Sequence, residues 1–159
     1  MTETRPSAGR LNVDVSPGRT AAALVAGWLV PGAGHAVLGR VWRAAIFFVL
    51  VMGSFGLGLA HDGRLALYSP KESFLTGLQL VANFGVGPAD VVARMDVYGE
   101  AAYNLPDPSA ASYRPRIEKF RERQRSAVSA YGTAYLWSAG LMNLLLLMDI
   151  WDIAKRRKD

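Results

Sequence analysis

The sequence predicts an all-α protein that lives in lipid: an integral membrane helical bundle of three to four transmembrane segments, with a tight N-terminal helical hairpin and an amphipathic basic helix before the last span. Three observations predict it. Of 159 residues, 51% are hydrophobic and 19% charged, against roughly a quarter charged in an ordinary soluble chain. The charge is segregated into a few tracts with long apolar runs between them, which excludes a disordered chain, a coiled coil and a conventional water-soluble core. The net charge of +5 comes from 14 Arg and 4 Lys set beside the apolar runs, where membrane anchoring needs them. A basic chain can also read nucleic acid, but these cations form no single basic face, and nucleic acid is not among the expected partners.

Residues 1–19 lack periodicity, hold two prolines and read as a polar tail. A signal peptide would need a small-residue cleavage site after Ala21–Val30; none follows, and the apolar run resumes beyond a turn. The stretch 20–60 is expected to form a transmembrane hairpin. Its first segment, Thr20–Leu38, would cover about 28 Å as a helix, although Pro31, Gly32 and Gly34 limit the unbroken part to Thr20–Val30. Its second segment, Ala44–Ala60, is free of charge, and only Gly39–Arg43 separate the two. Small residues at helical spacing, Ala23 with Gly27 and Ser54 with Gly58, are expected to be helix-packing faces.

The third membrane segment, 74–92, is expected to be broken or tilted. Gly85-Val86-Gly87-Pro88 interrupts it, and Phe74–Phe84 alone would reach only about 16 Å. Residues 94–130 form a turn-rich loop and then a basic helix, with Ile117, Phe120, Gln124, Ala127, Val128 and Tyr131 on one stripe. Its cations Arg114, Arg116, Lys119, Arg121, Arg123 and Arg125 suit an anionic lipid surface, an acidic partner, or a solvated extension of the next span. The C-terminal span, 131–153, carries Tyr131, Tyr135 and Trp151 near its ends, as interfacial aromatics do, and a basic tail closes the chain at 154–159. With four spans the cations divide nine against nine between the faces. Without a crossing third segment they divide twelve against six, which favours a cytoplasmic N-terminus and central region.

Chemistry is sparse. With no cysteine, Cys-ligated metal, iron–sulfur clusters and thiol catalysis are excluded. No GxSxG, HExxH or Walker loop is present, so no catalytic residues are expected. The two histidines, His35 and His61, lie at opposite ends of the second segment, about 25 Å apart, too far to form one bis-His haem site. Either alone could be an axial ligand, or His35 could serve backbone carbonyls freed by Pro31. No cofactor is implied. Asn143 is expected to hydrogen-bond across helices, while Asp149 and Asp152 sit near the headgroups, where charge costs little.

The turn Pro31-Gly32-Ala33-Gly34-His35, followed by Leu38-Gly39-Arg40 and Arg43-Ala44, resembles the G-x-G-x-H turn of bacterial two-transmembrane-helix hairpin domains. Ala36 and Val37 stand where that family has aromatics. The end, Ala139-Gly140-Leu141 with Asn143, Asp149 and Asp152, is similar to an uncharacterised small multi-span membrane family that joins such a hairpin to a C-terminal span. The resemblance implies an α-helical bacterial protein of the cytoplasmic (inner) membrane and supplies no activity. Two functions stay open. One is a non-enzymatic scaffold or accessory subunit that packs in the lipid bilayer against other membrane subunits or itself. The other is a small transporter or channel component with a polar path through Gln79, Asn83 and Asp90.

Overall fold

The computed structural model describes residues 16–105, 109 and 113–155. Among them are seven α-helices, one 3-10 turn and no strand. The first helix, α1 (Pro17–Leu29), starts where Ser16 accepts a hydrogen bond from the Arg19 amide and proline fills the first turn. It ends at Val30, which turns extended because Pro31 follows. Gly32 then takes a left-handed φ of +83° and opens the short helix α2 (Ala33–Val37). The turn is pressed on the Ala44 carbonyl, where a side chain has no room.

Helix α2 runs back along α1. Gly34 lies on the Ala23 carbonyl, and the Arg19 guanidinium donates to the Val37 carbonyl at 2.9 and 3.2 Å. The pair is therefore a V with both ends on one side. Gly39, also at φ +83°, leads into α3 (Val41–Ala60), about 30 Å long.

Beyond α3 an extended segment, 64–68, is buried through Leu65, Ala66 and Leu67. It is followed by the 3-10 turn Pro70–Glu72 and α4 (Ser73–Phe84). Gly87, at φ +74°, starts α5 (Pro88–Tyr98). This pair is a second V. Thr76 near the start of α4 bonds Ser69, and Tyr98 at the end of α5 donates to the Leu65 carbonyl at 2.9 Å. Both ends thus converge on residues 65–69. Tyr68 in turn pairs with Tyr103 and Leu105 through backbone hydrogen bonds.

The chain closes with α6 (Tyr113–Arg125) and α7 (Ser129–Ala154). Helices α3 and α7 are antiparallel: Gly58 at the end of α3 packs on Gly132 and Leu136 at the start of α7, and Phe47, Leu50 and Val51 face Met142, Leu145 and Leu146. The tips of the two Vs meet beside the middle of α7. Trp28 stacks on Phe84 at 5.1 Å and donates to its carbonyl at 3.3 Å, while Gly87 lies on the Trp28 carbonyl. The order is a V and a long helix, then a V, α6 and a second long helix, the second set running opposite to the first.

Of the three to four spans expected, two are shown as candidates: α3 and α7 are the helices among the described residues long and apolar enough to cross a membrane. Three other expectations are corrected. Thr20–Leu38 is not one segment, because Pro31 lacks a donor and Gly32 reverses the chain, leaving helices of 13 and 5 residues. The tight hairpin is therefore α1–α2. The break in 74–92 falls where the glycines and Pro88 put it, between helices of 12 and 11 residues. The stripe on α6 does not run on to Tyr131: the helix breaks at residues 126–128, Arg116 is the buried residue, and Gln124, Ala127, Val128 and Tyr131 are exposed. Tail residues 1–15 and 156–159 lie outside the described residues, whereas Pro17–Arg19 already belong to α1.

Candidate functional site

Beside an apolar core, several charged and amide side chains are buried, while many large apolar side chains are exposed. Arg94 is the largest fully buried side chain, and Trp42 and Phe74 are 78% and 75% exposed. The long helices α3 and α7 have only 22% and 28% of their most apolar stretches buried, and both are long and apolar enough to cross a membrane. Three of the buried polar groups bear on the arrangement of the helices, one on each V and one where they meet.

The first is His35 on α2. It is fully buried, its Nε2 lies 3.1 Å from Asp149 Oδ2 on α7, and its ring packs on Phe47 at 4.9 Å. The expectation that His35 serves carbonyls freed by Pro31 is replaced by this longer reach, because α2 carries the ring against α7. Asp149, expected among the headgroups, is the residue that answers it. An axial-ligand role would have to displace Asp149 from Nε2. Nδ1 is enclosed, with no partner among the described residues. His61 sits at the other end of α3, held by its own helix through the Leu57 carbonyl at 2.8 Å.

The second is Asp90 and Arg94, one turn apart on α5 and both fully buried, with Nε to Oδ2 at 2.8 Å. The guanidinium also donates to the carbonyls of Ala66 and Ala102 at 2.8 Å each and stands 4.3 Å from the centre of the Tyr103 ring. It therefore ties two loops to α5. A buried pair so coordinated specifies geometry more than it adds stability, because desolvation offsets most of the Coulomb attraction. Burial pushes the neighbouring Tyr98 hydroxyl up to about 12, against the opposing pull of Arg94. Tyr103 is raised as well, by burial and then by the Asp90 charge.

The third is Asn143 in the middle of α7. As expected, it bonds across helices: its amide donates to Gly27 at 3.2 Å and to Gly85 at 2.9 Å, joining the tips of both Vs. These carbonyls stand at helix C-termini, where the freed acceptors need a donor. Gly140, one turn before Asn143, lies on the Ala82 carbonyl with no space for a side chain.

The expected packing residues Ala23, Gly27, Gly58 and Asn143 are all used inside the chain, and Ser54 is half-buried. Pro31, Gly32, Gly34 and His35 form the first tip, while Gly39 and Arg40 form the turn into α3. Gln79, Asn83 and Asp90 meet different surroundings. Gln79 lines an open cleft, Asn83 is 1% exposed with its amide enclosed, and Asp90 faces Arg94. Among the α6 cations, Arg116 pairs with Glu100, and Arg123 donates to the Gly63 carbonyl at 2.9 Å. Arg114, Lys119, Arg121 and Arg125 are exposed.

Sequence reasoning missed Arg94, Tyr98 and Tyr103. The i, i+4 spacing of Asp90, Arg94 and Tyr98 was the available signal for the first two. No cluster of three or more acidic or histidine side chains able to hold a metal occurs among the described residues.

No curated protein and no solved structure matches the chain. A family model described as a family of unknown function (DUF6677) matches residues 22–159, a span that includes both long helices, the second V and all of the first V but the opening five residues of α1. The chain belongs to that family.

Proposed function

We propose that the protein is a non-enzymatic component of a bacterial cytoplasmic membrane, a scaffold or accessory subunit. In this reading α3 and α7 cross the bilayer, and the two Vs enter it halfway from opposite faces. The observation that carries it is the exposure of large apolar side chains: Trp42, Val49, Phe74, Leu145 and Met148 stand outside while charged and amide side chains are enclosed. Half-membrane entry is permitted because the irregular backbone at each tip is covered by the other tip and by Asn143. The Pro31–His35 turn, which resembles that of two-helix hairpin domains, is then the tip of the first V.

Ala23, Gly27 and Gly58 are packed within the chain, so a partner subunit would meet the lipid-facing sides of α3, where Gly53 and Gly56 are open, and of α7, or the polar side of α6. The exposed cations of α6 suit anionic headgroups. The transport alternative is less favoured because Asn83 and Asp90 are enclosed and only Gln79 meets open space.

Extraction in a gentle detergent followed by native mass spectrometry tests the scaffold reading. A stable assembly with other membrane subunits or copies of itself is the expected result. A lone chain that, in vesicles, carries a solute flux abolished by Asn83→Leu would overturn it in favour of transport.

A further inference from the structure

We infer that the cleft between α4, α6 and the start of α7 is a binding site for a phospholipid headgroup: a phosphodiester with a terminal hydrogen-bond donor. The inference rests on the membrane reading above. The cleft has a volume of about 260 Å³ and a mixed lining of polar and apolar side chains.

Arg64 supplies a cation that enters none of the ion pairs among the described residues. Its backbone amide is fixed to Thr133 Oγ1 at 3.0 Å, so the guanidinium starts from a defined point. Trp137, one turn deeper on α7, has its Nε1–H enclosed with no acceptor among the described residues. A buried donor left without an acceptor is costly, and a phosphate oxygen would satisfy it. Glu72, across the cleft, is an acceptor for a hydroxyl or primary ammonium beyond the phosphate. Leu105, exposed at 37%, and the half-buried Phe120 offer apolar surface for the start of an acyl chain. The depth also fits: Thr133 and Trp137 lie one and two turns into α7, where a crossing helix passes the headgroup layer.

The test is native mass spectrometry of the full chain in detergent, with phosphatidylethanolamine and phosphatidylcholine of matched acyl chains. Both are zwitterionic, so the basic surface of α6 does not discriminate between them, and only the first has a terminal donor. The expected result is one phosphatidylethanolamine retained about tenfold more strongly than phosphatidylcholine, a difference of the size of one hydrogen bond to a charged group. Trp137→Phe and Arg64→Gln should each lower retention about tenfold, while Glu72→Gln should reduce the preference between the lipids.

Equal retention of the two lipids by the unmodified protein overturns the proposal, whatever the variants do. Displacement of the bound lipid by millimolar soluble glycerophosphoethanolamine overturns the lipid assignment and points to a free phosphodiester. Recovery of the chain as a soluble monomer without detergent would overturn the membrane reading itself, before any lipid is added.

Discussion

The two Vs are built alike and fastened differently. In each, a helix of about half a membrane's thickness ends at a left-handed glycine, Gly32 or Gly87, and a return helix begins there. In each, the third residue of the return helix is ionisable and fully buried, His35 in one and Asp90 in the other. The partners differ. His35 reaches across to Asp149 on α7, whose side chain keeps 29% of its exposure. Asp90 is answered by Arg94 on its own helix, with both sealed from solvent. The first V is thus clamped to a long helix, and the second is clamped to the loops that precede and follow it. A shared backbone device can carry unrelated polar locks, because the tip geometry depends on glycine and close packing and not on the charges.

Breaking the two locks should separate them most clearly. Arg94→Ala leaves Asp90 charged, buried and unpaired, and should cost about 3–5 kcal/mol against unfolding in detergent. The double change Asp90→Leu with Arg94→Met should recover most of that loss. His35→Ala should cost less, about 1–3 kcal/mol, because Asp149 can be hydrated from its open side. Thermal unfolding of the three variants checks the order; equal losses for Arg94→Ala and His35→Ala would erase the distinction.

The tips should respond alike where the locks do not. Alanine at Gly32 or at Gly87 meets both a left-handed backbone and a neighbouring carbonyl, so each should lose at least about 1–2 kcal/mol. Asn143→Leu removes the donor shared by both tips and should cost about 1–2 kcal/mol. Its amide hydrogen exchange should rise at both tips together; a rise at one only would contradict the shared junction.

The smallest expected effect is confined to the second V. Tyr98 holds its proton up to about pH 12 when folded and releases it near 10 when unfolded. The folded state therefore binds that proton more tightly. The resulting stability is complete below pH 10 and is lost as pH rises from 10 to 12. Tyr98→Phe should flatten this part of the alkaline unfolding profile, whereas variants of the first V should leave it unchanged.

The helices were legible where a local rule decides them. Pro31 and Pro88 marked both tips, the glycines beside them marked the reversals, and the uncharged run after Arg43 marked α3. The direction of return was not legible. Residues 20–38 look long enough to cross, and the contacts of Gly34 with Ala23 and of Arg19 with Val37 make them a V. The candidate site was half visible: Asn143 and His35 stood out as polar residues in apolar surroundings. Asp149 was read as a headgroup-level carboxylate, because its partner lies 114 residues away. Arg94 did not stand out, because a charge near a loop reads as solvated until the loops of residues 64–68 and 99–105 close over it.

The pairing of two half-membrane Vs with two crossing helices is tested most directly by the sidedness of introduced cysteines, for which the cysteine-free chain is a clean background. Gly18→Cys and Arg43→Cys should react with an impermeant maleimide from one face of intact vesicles, and Lys71→Cys and Ala101→Cys only from the other. Labelling of positions 18 and 43 from opposite faces, or of 71 and 101 from opposite faces, would mean that a V crosses the bilayer, contradicting the account.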